Sequence, residues 1–252
     1  MNRIIDIRSE FASFMREYGA FVSDDRKQTP HQPKNADYIL HTQRIIAELK
    51  CIEDDKLDDR NVCQEIENCL ERWGIPRSAD IGEIERVDLS RLPHACVNEL
   101  SDIKKKPLRT IVESASRQIK AMKVRLKAST YQGLLLVAND GDLSLPRPAL
   151  LRFFAEVLNG SGSGVNSFVL FSVNLACSVP GSNLQSMIWN YYHPNRATNI
   201  DDRIILDMGQ KWQSHLEAVT GTRFTAIYQD QETQQHAGQI LSEVAPCAPP
   251  NE

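Results

Sequence analysis

The chain has 252 residues, of which 41% are hydrophobic and 25% charged, and this length and composition fit one sizeable globular domain. No apolar run approaches the roughly 18 residues that a membrane-spanning helix needs, and the N-terminus lacks the pattern of a secretory signal. We therefore expect a cytoplasmic protein that does not enter a membrane. The net charge of -4 argues against attraction of the whole surface to nucleic acid, so a nucleic-acid surface would have to be local.

Hydrophobic periodicity divides the first half of the chain into an amphipathic helix, a β-hairpin and a helical segment. The first helix is expected to end at Gly19, where a glycine C-terminal cap belongs. The weakly patterned residues 54–107 are interpreted as a helical insertion. The predicted elements are a helix over residues 2–18, strands over Ala36–His41 and Arg44–Ile52, and a helix over Asn61–Trp73.

The second half alternates helices with short apolar runs, which is typical of strands buried in a sheet that has helices on both faces. Residues 1–53 and 108–228 are therefore predicted to form an α/β core with a mixed central sheet, and residues 229–252 a flexible tail. The predicted helices cover Arg109–Ala128, Pro148–Leu158 and Asp201–Val219. The predicted strands cover Gly133–Asn139, Ser167–Ala176, Met187–Tyr192 and, at the sheet edge, Arg223–Tyr228.

The six cysteines are scattered along the chain, and no two of them form a CxxC pair. Zinc sites need closely spaced soft ligands, which these spacings do not supply. We interpret the cysteines as reduced thiols of a reducing compartment.

The hairpin carries the charged residues on which the functional prediction depends. Side chains alternate between the two faces of a strand, so Glu48 and Lys50 share one face of an otherwise apolar strand. A connection centred between Thr42 and Gln43 pairs the strands symmetrically and places Asp37 directly opposite Glu48. A symmetric four-residue loop gives the same register, whereas an asymmetric loop does not.

Two opposed carboxylates repel each other unless a cation lies between them. Directly opposed residues of an antiparallel pair have Cβ atoms roughly 4.5–5.5 Å apart, which is close enough for one divalent ion to bind both carboxylates. Oxygen ligands select a hard ion, so we expect Mg²⁺, with Mn²⁺ as a substitute. Lys50 would then place positive charge beside the attacking water or the phosphate of a phosphodiester.

Asp37, ten intervening residues and then Glu48-Leu49-Lys50 resemble the PD-(D/E)xK motif of the restriction-endonuclease-like nuclease superfamily. Ala36 replaces the motif's proline. The superfamily core is a helix, a three-strand meander, a helix and a strand, and the predicted elements of residues 1–140, apart from the insertion, are similar in order. The resemblance implies a restriction-endonuclease-like core in which Asp37 and Glu48 hold Mg²⁺ and Lys50 assists the nucleophile.

The resemblance also implies two further site residues. Many members add an acidic metal ligand from the first helix, for which Glu10 is the best match in this chain. Members also often place a polar or basic residue on the later helix, for which Gln118 and Lys120 are candidates and Gln118 is the better match. Gln118 is therefore expected to take part in catalysis beside Lys50.

The helix at 109–128 belongs to a basic segment, since nine Lys or Arg residues and one acid, Glu113, lie between Lys104 and Lys127. These cations either neutralise phosphates beside the metal site or form an ordinary solvated face.

The leading hypothesis is a magnesium-dependent nuclease that hydrolyses DNA phosphodiester bonds, in defence, restriction or repair. The alternative is a catalytically inactive scaffold of the same fold that acts as an interaction subunit, whose insertion and C-terminal tail contact partners. For the motif residues themselves, the alternative is that Glu48 and Lys50 are surface charges on an edge strand and that Asp37 caps a turn. An RNA-directed nuclease is a third hypothesis. Besides DNA, the expected partner is a second copy of the chain or another subunit.

Overall fold

The computed structural model describes residues 5–23, 35–53, 60–75, 92–140, 147–161, 163–172, 177–178, 185–195 and 198–229. These residues form an α/β fold in which helices flank a mixed open sheet. The helices are α1 (Ile7–Glu17), α2 (Arg60–Arg72), α3 (His94–Arg125), α4 (Arg147–Gly160) and α5 (Asp202–Thr220). The strands are β1 (Phe21–Val22), β2 (Tyr38–Leu40), β3 (Ile45–Glu53), β4 (Gln132–Asp140), β5 (Ser167–Ser172), β6 (Cys177–Ser178), β7 (Gln185–Tyr192) and β8 (Phe224–Gln229).

The sheet combines antiparallel edges with a parallel centre. Its strand order is β1-β2-β3-β4-β5-β7-β6, and β8 pairs with β7 as predicted for an edge strand. β1, β2 and β3 form an antiparallel meander, and β3, β4 and β5 run parallel. The long strands β3 and β4 therefore lie inside the sheet, as the continuous apolar run of β4 predicts for that strand.

The register of the β2–β3 hairpin agrees with the prediction. Leu40 pairs with Ile45 and Tyr38 with Ala47, so the two strands are related symmetrically about the connection. The connection is the four-residue turn 41–44, closed by the backbone N–H of Arg44, which donates to the carbonyl of His41. Arg44 has a φ of 56°, in the left-handed region that non-glycine residues seldom adopt.

Two hydrophobic cores lie on opposite faces of the sheet. The first joins α1 and α5 to the side chains of Ile45, Ala47 and Leu49 on β3. The second joins α3 and α4 to the alternate positions of the same strand, including Ile46 and Ile52. Because side chains alternate along a strand, Glu48 and Lys50 lie on the α3 face.

A third, smaller core joins α2 to the first half of α3 and includes Cys69, Cys96 and Ile103. α3 is one helix of 32 residues that contains Pro107, so the prediction of a helix beginning at Arg109 was wrong. Proline inside a helix removes a hydrogen bond and costs about 3 kcal/mol, which is why the sequence favours a boundary there. Buried side chains on both sides of the proline offset this cost, and the predicted insertion 54–107 therefore shares α3 with the sheet core.

The other predicted elements differ mainly at their ends. α1 begins after Asp6, whose carboxylate caps its N-terminus, and α5 ends at Gly221 with a φ of 69°. The two-residue strands β1 and β6 were not predicted, because they are too short to show an alternating pattern. Residues 2–4 of the predicted first helix, 173–176 of the predicted strand Ser167–Ala176 and 230–252 of the predicted tail lie outside the described residues. No helix within the described ranges is long and apolar enough to cross a bilayer.

Candidate active site

Glu48 lies in the middle of β3 and is buried, with only 1% of its surface exposed. β4 covers one edge of this strand, where Glu48 pairs with Leu135, and α3 covers the face on which its side chain lies. Burial of a carboxylate is costly unless the group is paired and hydrogen-bonded. The contacts around Glu48 therefore decide what this position does.

Lys50 provides the charged partner of Glu48. Its Nζ lies 2.6 Å from Glu48 Oε1, and the two residues share a face of β3 because they are two positions apart. The Lys50 side chain keeps 22% of its surface exposed, against 2% for Glu48. A phosphate approaching from solvent can therefore meet the ammonium group of Lys50, whereas Glu48 lies behind it.

Asp37 lies immediately before β2, at the point where the hairpin ladder ends. β2 pairs with β3 only as far as Ala47, and beyond this point a carboxylate oxygen of Asp37 accepts the backbone N–H of Leu49 at 2.8 Å. Asp37 thereby continues the hairpin through its side chain. The charge of Asp37 also raises the pKa of Glu48.

The environment of Glu48 favours its neutral form. Burial, followed by the charge of Asp37, raises the pKa of Glu48 from 4.5 to about 8. The charge of Lys50 and hydrogen bonds from Lys50 and the Asp37 backbone act in the opposite direction and do not restore the ordinary value. Glu48 Oε2 is also buried without a hydrogen-bond partner among the described residues. The site therefore holds an oxygen that a proton or a cation would satisfy.

Gln118 of α3 lies where the sequence placed it, beside Lys50. Its Oε1 accepts a hydrogen bond from Lys50 Nζ at 2.7 Å, and Ser114 Oγ donates to the same oxygen at 3.3 Å. The Gln118 Nε2 group donates to the carbonyl of Asn35 at 3.4 Å. Gln118 thus connects α3 to Lys50 and to the segment that leads into Asp37.

The structure does not bring Glu10 to this group of residues. Glu10 belongs to α1, which packs on the other face of the sheet, and its Oε2 lies 3.5 Å from Nε2 of His215 on α5. The spacing of apolar residues identifies the buried side of α1, but it does not show on which face of the sheet the helix packs. Lys120, the weaker candidate on α3, donates to Ser163 on the side of the helix away from Lys50.

Three residues that interact with the predicted site residues were not identified from the sequence. Asn35 acts through its backbone carbonyl, which any residue type supplies, so its identity carries no signal. Ser114 lies one helical turn before Gln118, and this spacing indicates a side-chain contact that could have been predicted from the sequence. Tyr38 is buried in the α1–α5 core on the opposite face of the sheet from Glu48, and burial together with the charges of Asp37 and Glu48 raises the pKa of its hydroxyl.

Asp37 and Glu48 are the residues of this group whose oxygens could hold a metal ion. Mg²⁺ is commonly bound by one or two carboxylates and completes its coordination with water and substrate phosphate oxygens. Asp37 and Glu48 have carboxylate oxygens that can act as metal ligands, and Glu48 Oε2 has no hydrogen-bond partner among the described residues. Within the described part of the chain, no group of three or more His, Cys, Asp or Glu side chains is arranged to hold a metal.

Comparison of the chain with protein-family models, curated proteins and solved structures found no match.

Proposed function

We propose that the chain is a magnesium-dependent nuclease that hydrolyses DNA phosphodiester bonds. The observation that carries the proposal is the buried Glu48 carboxylate, which has an unpartnered oxygen and lies beside Asp37 and Lys50. Strongly shifted pKa values in groups that face a cation are typical of functional sites. The order of α1, the β1–β2–β3 meander, α3 and β4 also fits the core that the PD-(D/E)xK resemblance implies.

Asp37 and Glu48 would hold Mg²⁺, or Mn²⁺ as a substitute. When bound, the ion supplies Lewis-acid chemistry and lowers the pKa of a coordinated water. Lys50 carries the positive charge that a pentacovalent phosphorane transition state requires, and its partial exposure allows a phosphate oxygen to reach Nζ. Gln118 orients that ammonium group through its Oε1.

The proposal is tested by cleavage of supercoiled plasmid and end-labelled linear duplex in Mg²⁺, Mn²⁺ or EDTA. We expect cleavage that EDTA abolishes, and a loss of about 10²–10³-fold in rate for Lys50→Ala, the usual effect of removing one group that stabilises the transition-state charge. Glu48→Gln should be at least as damaging, because an amide is a poor ligand for Mg²⁺.

Glu10→Gln is the matched control, since it removes a carboxylate of α1 that pairs with His215 instead. Its activity should equal that of the wild type. Unchanged cleavage in both Glu48→Gln and Lys50→Ala would sink the proposal. An end-labelled RNA substrate in the same assay distinguishes a ribonuclease from the proposed deoxyribonuclease.

A catalytically inactive scaffold is the second candidate, and one observation favours it. The Lys50–Glu48 ion pair and the Asp37–Leu49 hydrogen bond already engage one oxygen of each carboxylate without a metal. Under this alternative, purified protein cleaves neither DNA nor RNA in any divalent ion. Isothermal titration then shows no binding of Mg²⁺, whereas the nuclease proposal requires binding that Glu48→Gln abolishes.

A further inference from the structure

The second half of α3 presents cations that lack acidic partners. Arg117 and Arg125 of α3, and Lys127 directly after its C-cap Leu126, are exposed, and in the described part of the chain none of them is ion-paired with a carboxylate. We name these three residues the α3 cation row. The first half of the same helix is different, because Lys105 pairs with Glu156 and Lys106 with Glu65.

The charges in this part of the helix also repel one another. Burial, and after it the positive charge of Lys120, lowers the pKa of Lys123. Unneutralised cations crowded on one helix destabilise a folded protein slightly, and an anionic partner removes that repulsion. The row is therefore complementary to a polyanion.

The α3 cation row lies next to the candidate active site. Arg117 directly precedes Gln118, and Arg125 follows Gln118 by seven residues, which places it on the same side of the helix, about 10.5 Å along the axis. Phosphates of one strand of duplex DNA are spaced by about 3.4 Å along the axis, so this distance spans about three nucleotide steps. One strand can thus contact the row while a phosphate lies at Lys50, which Gln118 holds.

We propose that the α3 cation row binds the phosphate backbone of duplex DNA and positions one strand for attack at Lys50. That the ligand is DNA rests on the proposed nuclease function, whereas the positive charges of the α3 cation row by themselves predict only a polyanionic ligand. Phosphate contacts of this kind fix position and carry no base specificity.

The absence of aromatic residues in α3 favours a duplex over a single strand. Proteins that bind single-stranded nucleic acid stack bases on aromatic side chains, and α3 contains no Phe, Tyr or Trp. The large exposed aromatics among the described residues are Phe21 on β1 and Trp73 directly after α2. The indole N–H of Trp73 donates a hydrogen bond to Glu99 in the first half of α3. Neither lies on the second half of α3.

The experiment measures binding separately from cleavage. Fluorescence anisotropy with a labelled 20-base-pair duplex, in EDTA, gives the dissociation constant over a range of salt concentrations. Each lost phosphate contact lowers the slope of log K against log salt by about 0.9. We therefore expect Arg117→Ala/Arg125→Ala to lower the slope by about 1.8, and to weaken binding by about eightfold per contact at roughly 0.1 M salt.

Arg16→Ala is the control, because Arg16 is an exposed cation of α1 on the opposite face of the sheet. Its slope should equal that of the wild type. An unchanged slope in the double variant, an equal loss in the control, or tighter binding of the matching single strand overturns the proposal. If the row binds duplex DNA but the protein does not cleave it, only the proposed nuclease function is overturned. If the protein cleaves DNA but the double variant has the salt slope of the wild type, only the proposed role of the α3 cation row is overturned.

Discussion

Replacing Glu48 by glutamine removes a titratable group from the core while nearly preserving its shape. The pKa of Glu48 is raised from 4.5 to about 8. Between these two pH values the carboxyl group is protonated in the folded state and ionised in the unfolded state. Stability is therefore highest below pH 4.5 and falls as the pH rises towards about 8. At 1.36 kcal/mol per pKa unit, the loss between about pH 4 and about pH 7 is about 3 kcal/mol.

The assay is urea unfolding of wild type and Glu48→Gln at a series of pH values without divalent ions. Other titrating groups contribute nearly equally to both proteins, so the difference between their free energies of unfolding isolates Glu48. We expect Glu48→Gln to gain about 3 kcal/mol relative to the wild type between about pH 4 and about pH 7. A difference that stays constant over this range would refute the reasoning, because it would mean that Glu48 titrates as an ordinary carboxylate.

Three further predictions follow from individual contacts. Mg²⁺ at about a hundred times its Kd should stabilise the wild type by about 2.7 kcal/mol at pH above about 8, and differential scanning fluorimetry should show no such shift for Glu48→Gln. Gln118→Ala should lower kcat about tenfold, the equivalent of one hydrogen bond of roughly 1.4 kcal/mol to a charged group, and steady-state kinetics that show a change in KM alone would contradict this. Gly133→Ala should lower the free energy of unfolding by about 1–3 kcal/mol in urea, since its Cβ would lie 2.0 Å from the Gly164 carbonyl oxygen. Gly160→Ala, whose Cβ would meet nothing within 4 Å at the end of α4, is the control and should be as stable as the wild type or more stable by up to about 1 kcal/mol.

The hairpin was the most predictable part of the site, for a local reason. Alternation within β3 determines which residues share a face, and a symmetric turn determines which residues of β2 oppose them. Both the four-residue turn and the two-residue turn keep the register, whereas an asymmetric loop would have changed it, so the prediction depended on the symmetry of the loop and not on its length. The expectation that Asp37 lies opposite Glu48 rests on this register, which the structure shows from Leu40 and Ile45 as far as Tyr38 and Ala47.

The position of Glu10 could not be predicted in the same way. α1 meets α5 through contacts between residues about 200 positions apart, such as Glu17 with His215. Periodicity identifies the buried stripe of α1, but the choice of sheet face depends on which other helix shares that core. Pro107 illustrates a related limit, because tertiary packing on both sides of the residue overrides its local preference against helix.

The cost of Glu48 itself separates the two candidate functions. Its raised pKa already includes the favourable effects of Lys50 and of the backbone hydrogen bond, so these partners do not compensate for burial. A purely structural position would be filled better by an uncharged side chain, since replacing buried charges with groups of similar shape is often neutral or stabilising. A stability cost that the surrounding contacts leave uncompensated is a feature of sites whose binding partner supplies the missing interaction. A divalent cation would supply that interaction for Glu48 Oε2, and for this reason we favour the nuclease over the inactive scaffold.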